Sequence, residues 1–256
     1  MPYHEPLSIP YARIPVNKAQ TMRYLMEMMH KGYRYWISGL IPIEKAAALA
    51  RKFKERYQCD VSNSTRWRNK KQGKANTVLI MYPQVPGQDQ PITHVLWWLL
   101  ITPGTGKVFE EEHTAIEDAH DKHGRLRWQQ QFVLVHRQRP RAHGGQWHVT
   151  WEIQKPYYAH LYERITGLAS GRIPKTRIHA TRAEQLEAEI ADMLRMPGFN
   201  GVRLQEMSIL KEVRKLWHQH YKDAPMNWPE HIPYVDKAHK VFRPTLSTES
   251  LADTWT

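Results

Sequence analysis

Apolar side chains recur along the chain at helical and at strand spacings. The clearest helical stripe lies within residues 43–57 and comprises Ala46, Leu49, Ala50, Phe53 and Tyr57. Residues 77–82 form an apolar run closed by Pro83, and residues 94–102 (HVLWWLLIT) form a second one. Short apolar runs bounded by turn residues are typical of buried strands, so we expect these two to pair, with 94–102 at the centre of a sheet.

A two-residue period predicts a hairpin from residues 130–137 and 146–154. In its second strand, polar residues alternate with the apolar residues Trp147, Val149, Trp151 and Ile153. The sequence therefore predicts an α+β fold in which both strand pairs join one antiparallel sheet that carries helices on one face.

Further helices are predicted at residues 17–31, 156–168, 181–194 and 202–221. Thr181 and Glu184 have the spacing of a capping box. Residues 169–180 are basic and interrupted by glycine and proline, which is typical of a linker. We therefore expect the chain to divide into an α+β core, residues 1–168, and a helical hairpin with an extended C-terminal segment, residues 169–256.

The charge balance bears on the class of partner. The 256 residues include 37 Lys and Arg against 25 Asp and Glu, a net charge of +12. Such a surplus favours an anionic polymer over a neutral metabolite. No apolar run approaches the ~18 residues of a spanning helix, and no signal-peptide pattern opens the chain. Because Cys59 is the single cysteine, an internal disulfide is excluded, and we expect a cytoplasmic protein with no membrane partner.

The densest cationic stretch is residues 62–76 (SNSTRWRNKKQGKAN), which the pattern predicts as a loop between a helix and a strand. It contains no acid, and Trp67 stands between two arginines. Its cations are Arg66, Arg68, Lys70, Lys71 and Lys74. Cations held on a loop between two core elements point to phosphate groups, and a merely solvated loop is the alternative.

An aromatic stretch, residues 33–39 (YRYWISG), offers flat faces that suit base stacking. Its candidate binding residues are Arg34, Tyr35 and Trp36. The same stretch equally suits a strand in which Tyr33, Tyr35 and Ile37 are buried.

Two further basic segments are candidates for nucleic-acid contact. The connection of the predicted hairpin, residues 137–145, contributes Arg137, Arg139 and Arg141. The helix at 202–221 contributes Arg214 and Lys215, and a basic second helix is typical of DNA-reading helix-turn-helix motifs. The connection before it is longer than the turn of those motifs, so a helical hairpin is preferred and DNA reading is the alternative.

Motifs for nucleotide or metal chemistry are incomplete. Residues 103–107 (PGTGK) lack the first glycine and the final Ser or Thr of a phosphate-binding loop, so they predict a turn. Acids cluster at 110–121 and predict a solvated helix. There His113 and Glu117 fit a metal only if a second ligand cluster exists, and none is visible. We expect no metal and no cofactor.

RNA cleavage needs no metal, because the ribose 2′-hydroxyl is an internal nucleophile. The protein then supplies a proton-transfer group and cations that stabilise the charge on phosphorus. The residues that meet these needs near basic stretches are Arg23, His30, His143 and His148.

The element order over about residues 9–222, together with the basic character, loosely resembles the CRISPR repeat-RNA-processing endonucleases of plasmid-borne type IV systems. The resemblance implies ferredoxin-like domains, metal-independent cleavage of a repeat hairpin and a place in a ribonucleoprotein complex. The chain differs from many of those enzymes in having no glycine-rich loop near its C-terminus. Residues 33–39, 75–82 and 97–100 also resemble a set in uncharacterised proteins of plasmids and integrative elements.

Three functional hypotheses follow. The preferred one is an RNA-binding protein, with metal-independent endoribonuclease activity on CRISPR repeat RNA as its finer form, because aromatic residues alternate with arginines in two places. The second is a non-enzymatic DNA-binding protein of a plasmid or integrative element that uses the helix at 202–221. The third is a protein-interaction module whose charge maintains solubility.

Overall fold

The structure, a computed structural model, describes residues 7–8, 11–84, 92–138, 144–176, 180–222, 224–235 and 245–246. The chain forms two units, one of residues 1–126 with 238–256 and one of residues 127–237. Antiparallel sheets combine with helices, and helices dominate the C-terminal region, so the predicted α+β class is confirmed. The boundary predicted after residue 168 falls inside the second unit.

Helices are interspersed among the strands of the first unit, whereas the strands precede the helices in the second. The first unit contains β1 (Leu7–Ser8), α1 (Lys18–His30), β2 (Tyr35–Pro42), a 3-10 turn (Ile43–Lys45), α2 (Ala46–Tyr57), α3 (Asn63–Lys71), β3 (Thr77–Gln84), β4 (His94–Ile101), α4 (Lys107–Glu111) and β5 (Glu117–Asp118). The second contains β6 (Arg127–Trp128), β7 (Phe132–Gln138), β8 (Trp147–Ile153), α5 (Lys155–Ala169), α6 (Arg182–Leu194) and α7 (Asn200–Tyr221). In the first unit, β9 (Thr245–Leu246) pairs with β1.

The sheet of the first unit has the order β3-β4-β2-β5, and all its neighbours are antiparallel. The predicted pairing of the two apolar runs is confirmed, with Leu79 opposite Leu99, and β4 is central. Gly39 in β2 lies opposite Trp97, where a Cβ atom would come within 2.8 Å of the indole. The glycine therefore makes room for a large ring in the sheet.

One face of this sheet carries α2 and α4. The helical stripe predicted for α2 is buried against β3 and β4, in one cluster with Val108 of α4. A fully buried Leu or Phe contributes about 1.5–3 kcal/mol, so this cluster stabilises both helices on the sheet. The opposite face is buried too, through Trp36, Val78, Ile80, Trp98 and Leu100, and α1 contacts β3.

The second unit contains its own sheet, with the order β6-β7-β8. The predicted hairpin is confirmed, because β7 pairs antiparallel with β8. The prediction of one sheet shared by all four strands is wrong, since β3 and β4 lie in one sheet and β7 and β8 in another. Trp151 and Ile153 are buried as the alternation predicts, whereas Trp147 at the start of β8 is 68% exposed.

In the second unit, helices α6 and α7 both pack against α5. The predicted capping box of α6 is confirmed by both of its hydrogen bonds, between Thr181 and Glu184. Near the start of α7, the amide of Gln205 accepts from the backbone nitrogen of Ile153 at 2.7 Å and donates to its carbonyl at 3.0 Å. Within the described part of the chain, no helix is long and apolar enough to cross a membrane.

Candidate nucleic-acid interface

Residues 63–71, predicted as part of a loop, form helix α3, so the loop prediction is wrong there. Ser62 caps the helix by accepting a hydrogen bond from the backbone nitrogen of Thr65 at 3.3 Å. The helix contains no buried residue. It is held by polar contacts on its inner side instead of by an apolar stripe.

Arg66 donates four of the hydrogen bonds that hold α3. Its Nε donates to the carbonyl of Val61 at 3.1 Å, and its Nη2 donates to the carbonyl of Cys59 at 2.8 Å. Its Nη1 donates to the carbonyl of Thr77 at 2.6 Å and to the hydroxyl of Tyr33 at 2.7 Å. One guanidinium thus joins α3 to three other segments. Arg66, predicted to bind phosphate, instead anchors the helix to the rest of the unit.

Two asparagines complete the inner side of α3. The Nδ2 atom of Asn69 donates to Oδ1 of Asn76 at 3.1 Å, and Nδ2 of Asn76 donates to the carbonyl of Arg66 at 2.9 Å. The backbone nitrogen of Asn76 donates to the hydroxyl of Thr102 at 2.8 Å, which links the helix to the end of β4. These bonds fix the orientation of the helix relative to the sheet.

Residues 103–106 form the predicted turn beside the end of α3, whereas Lys107, predicted in the same turn, begins helix α4. The backbone nitrogen of Thr105 donates to the carbonyl of Gly73 at 2.9 Å. Gly104 has a φ of 143°, and a Cβ atom there would lie 2.8 Å from that same carbonyl oxygen. The close approach therefore requires glycine, and it holds Lys74, which forms a backbone bridge with Thr105.

The outer side of α3 carries an exposed indole and exposed cations. Trp67 is 64% exposed, and Nζ of Lys71 lies 5.5 Å from its ring centroid. Lys70 and Lys71 follow Trp67 by three and four positions and so share its helical face, and Lys74 lies just beyond the helix end. Arg68 is exposed beside this row. We call Trp67, Arg68, Lys70, Lys71 and Lys74 the α3 surface.

The cations of the α3 surface have no carboxylate within ion-pair distance among the residues that the structure describes. Helix α2, which precedes α3, differs in this respect. Its ion pairs are Lys52 with Glu112, Lys54 with Asp60 and Arg56 with Glu111. The positive potential of the α3 surface is therefore not cancelled locally, and it is available to an anion from solvent.

Arg34 forms an ion pair. Its Nε donates to the two carboxylate oxygens of Asp118 at 2.8 and 2.9 Å, and this hydrogen bonding lowers the pKa of Asp118 below its ordinary value. The pair joins the start of β2 to β5. The side chain predicted to contact RNA thus has an internal partner.

The aromatic residues of β2 belong to strand packing. Trp36 is 4% exposed and donates its Nε1 hydrogen to the carbonyl of Gly124 at 2.7 Å. Tyr35 packs edge-on against Phe109, with 5.3 Å between ring centroids. Because a buried ring cannot lie against a base, the strand alternative replaces the stacking interpretation for Trp36.

The hairpin candidates of the second unit are only partly described. Arg137 pairs with Glu152 across the β7–β8 ladder. Arg139, Arg141 and His143 lie outside the described residues.

The basic residues predicted on α7 have partners within the second unit. Arg214 donates to the carbonyl of Pro229 at 3.2 Å, and its guanidinium lies 5.4 Å from the ring of Trp228. Nζ of Lys215 lies 3.4 Å from Glu212. Both side chains remain exposed, but each is engaged by its own unit.

The candidate catalytic residues are distributed over both units. Arg23 and His30 lie on α1, seven positions apart, which is about 10 Å along a helix axis. Nδ1 of His30 lies 2.9 Å from the carbonyl of Met26. His148 lies on β8 of the second unit, with its Nε2 3.4 Å from Nδ2 of Asn200.

The acidic segment does not form the helix predicted at 110–121, since α4 ends at Glu111 and β5 follows. The hydroxyl of Tyr57 donates to Glu111 at 2.9 Å and to Glu112 at 2.7 Å, which ties these acids to α2. No group of three or more His, Cys, Asp or Glu side chains in the described ranges is placed to hold a metal ion.

Sequence reasoning missed two features of the surface. Nothing in a run of like charges indicates that the side chain of Arg66 points inward. The sequence does indicate the start of the helix, because Ser62 followed by Thr65 has the spacing of an N-cap. The alternation of β8 predicts that Trp147 is buried with Trp151 and Ile153, but Trp147, at the first position of the strand and opposite Gln138, is 68% exposed.

Comparison of the chain with protein-family models, with curated proteins and with solved structures finds no match. The geometry of the residues themselves is therefore the basis for assigning a function.

Proposed function

We propose that this protein binds RNA and that the α3 surface contacts its phosphate backbone. The observation that carries the proposal is the exposed row Arg68, Lys70, Lys71 and Lys74 beside Trp67, with no described acid within ion-pair distance. Like charges held on one short helix repel each other, and a polyanion relieves that repulsion while releasing its own counterions. The net charge of +12 attracts the same polymer at longer range.

The mounting of α3 supports the same proposal. No residue of the helix is fully buried, yet Arg66, Asn69 and Asn76 fix it by a set of specific hydrogen bonds. A helix of this kind contributes little to the apolar core. We therefore interpret its polar anchoring as holding the outer face of α3 in a fixed orientation toward solvent. A ligand then meets side chains whose backbone is already ordered, which lowers the entropic cost of binding.

The order of elements in the first unit bears on which part of it could contact a nucleic acid. Along the chain β2, α2, β3, β4, α4 and β5 follow one another as strand, helix, strand, strand, helix, strand, with α3 inserted before β3. We propose that this succession belongs to the ferredoxin-like class. Many such units stack bases on the open sheet face. Here that face is buried, so the α3 surface takes the place of the sheet as the proposed contact.

The salt dependence of binding tests the proposal. In the variant Lys70→Ala, Lys71→Ala, Lys74→Ala, we expect weaker binding to RNA of any sequence. The slope of log affinity against log salt should fall by about 0.7 per lost contact, so by about 2 in all. Arg66 is left in place because its replacement would disturb the helix itself.

The matched control is Lys52→Ala, Lys54→Ala, Arg56→Ala, which removes the same charge from the paired cations of α2. Its slope should stay close to that of the wild-type protein. Equal slopes for the two variants would show that only overall charge matters and would refute the α3 surface as the contact.

RNA cleavage without metal stays a prediction from residue types. Its candidates Arg23, His30 and His148 lie on α1 and β8. In sequence, both elements are distant from the cations of the α3 surface, on which the binding proposal rests. A product with a 2′,3′-cyclic phosphate, formed in the presence of EDTA, is the signature that would support it.

A further inference from the structure

We propose that Trp67 stacks on an unpaired base, so that the ligand of the α3 surface is a single-stranded segment and not a duplex. This inference rests on the proposed function, because the cations must first bring a phosphate backbone to α3. It adds one requirement for the ligand, which must offer the face of an unpaired base to the indole.

The exposure of Trp67 distinguishes it from most indoles of the chain. Trp36, Trp98, Trp128, Trp151 and Trp217 are each at most 4% exposed. Trp67 is 64% exposed on a helix with no fully buried residue, so core packing does not explain the ring. An exposed indole leaves a large apolar area in water, and a base placed against it would remove that area from solvent.

The position of the ring relative to the cations determines what can reach it. Trp67 shares one helical face with Lys70 and Lys71, and Nζ of Lys71 lies 5.5 Å from the ring centroid. A backbone that follows the ammonium groups therefore passes beside the indole. In a duplex the bases are paired and stacked inside, whereas in a single strand a base can turn toward the ring.

The anchoring of α3 fixes the ring at this place. The hydrogen bonds of Arg66 begin one position before Trp67, and those of Asn69 begin two positions after it. The helical backbone under the ring is thus ordered before the ligand arrives. A stacking residue on such a frame loses little freedom on binding, which favours a measurable affinity from a single contact.

Three RNA probes of equal length separate stacking from phosphate binding. They are an unstructured 12-nucleotide strand, the blunt duplex of the same sequence and a strand of the same length whose central nucleotides are abasic. We expect the wild-type protein to bind the unstructured strand most tightly. In Trp67→Leu this affinity should fall about 5- to 150-fold, the range for one base–aromatic contact. Affinity for the abasic strand and the duplex should change far less.

The control variant is Trp147→Leu, which removes another strongly exposed indole, 68% exposed on β8 of the second unit. It should bind the unstructured strand like the wild-type protein. Trp67→Phe should retain part of the lost affinity because a smaller ring still offers a flat face. Thermal unfolding of Trp67→Leu should match that of the wild-type protein, since an exposed ring adds little to folding stability.

The outcomes distinguish the two proposals. If Trp67→Leu binds the intact and abasic strands as the wild-type protein does while the lysine variant lowers the salt slope, stacking is refuted and phosphate binding stands. If the lysine variant leaves the slope unchanged, both proposals fail. If polyglutamate displaces the unstructured strand as well as unlabelled RNA does, the surface binds acidic chains in general and the single-strand inference is overturned.

Discussion

Arg66 and Arg68 lie two positions apart on α3 and meet opposite surroundings. Arg66 donates to three backbone carbonyls and to the hydroxyl of Tyr33, whereas Arg68 is exposed. In the sequence they are equivalent members of one cationic run. The difference arises because the helix turns by about 200° between them, which sends one side chain inward and the other outward.

This difference leads to a prediction for folding. Arg66→Met leaves four acceptors without their donor, so the free energy of unfolding should fall by about 2–5 kcal/mol. Arg68→Met, the same substitution on the outer face, should change it by no more than about 0.5 kcal/mol while weakening RNA binding. Urea unfolding of both variants, followed by circular dichroism, measures the two values. Equal values for the two variants would contradict the anchoring role.

Glu206 on α7 is a buried acid of the second unit. It is 1% exposed, and no described group forms a hydrogen bond with its Oε1 atom. Burial raises the pKa of this carboxyl to about 8, and the nearby charge of Arg203 acts in the opposite direction. The native protein therefore retains a proton that the unfolded chain has already released at neutral pH.

The sign of the pH dependence follows from that proton. Between the ordinary pKa of a glutamic acid and about 8, the native state binds one more proton than the unfolded state. The free energy of unfolding should then fall as pH rises, by at most about 1.4 kcal/mol per pH unit from this group. Glu206→Gln keeps the shape of the side chain and removes the titration. The stability of the variant relative to wild type should grow between pH 5.5 and pH 8.

Urea unfolding at several pH values tests this expectation, because the other groups of the chain cancel in the difference between the two proteins. Glu212→Gln is the matched control on the same helix, at a carboxylate that is partly exposed and lies 3.4 Å from Lys215. Its difference from wild type should vary far less with pH. A flat difference for Glu206→Gln would show that the group carries no extra proton in the native state.

At the level of elements, the apolar pattern predicted those helices and strands that bury a regular stripe. Helices α1, α2, α5, α6 and α7 and strands β3, β4, β7 and β8 fall close to their predicted positions. Helix α3 was not predicted, because its inner side is polar and a helix is predicted from the regular spacing of apolar residues. A helix anchored by Arg66 and Asn69 has no such spacing.

The grouping of strands could not be predicted from periodicity. A two-residue period predicts which residues of a strand face a core, but it does not specify which core. Both hairpins were recognised because their strands are neighbours in sequence. The central place of β2 was missed because its partner β4 lies more than fifty positions away, beyond the reach of any local pattern.

The candidate site was predictable in composition and not in geometry. The run from Arg66 to Lys74 was identified from its charge, and four of its five cations are exposed. The opposite holds for Arg34 and Trp36, whose types suit RNA but whose contacts are an ion pair with Asp118 and a buried hydrogen bond. Residue type tells which interactions are chemically available, whereas the fold decides which of them are already made inside the protein.

For the whole molecule, the surplus of positive charge is informative only after internal ion pairs are taken into account. Many described cations contact an acid of the same unit, including Arg34, Lys52, Lys54, Arg56, Arg137, Arg164 and Lys215. Such pairs lower the field that a distant polymer would experience. The α3 surface is a place where several exposed cations lack such compensation, so it should dominate recognition by the chain.

The last prediction tests the proposed RNA binding on protein purified from cells. Purified at moderate salt without nuclease, the wild-type protein should carry RNA, because the α3 surface combines phosphate contacts with a ring for an unpaired base. Ribonuclease A, which cuts single strands, should remove that RNA, and the Lys70→Ala, Lys71→Ala, Lys74→Ala variant should carry much less of it. Absorbance at 260 nm and sequencing of the bound fraction give the amount and the identity. Bound duplex DNA that resists ribonuclease would favour the rival hypothesis for α7. A bound RNA whose ends are uniform and carry a cyclic phosphate would connect the proposed binding to metal-independent cleavage, since the 2′-hydroxyl attack leaves that group on the upstream fragment.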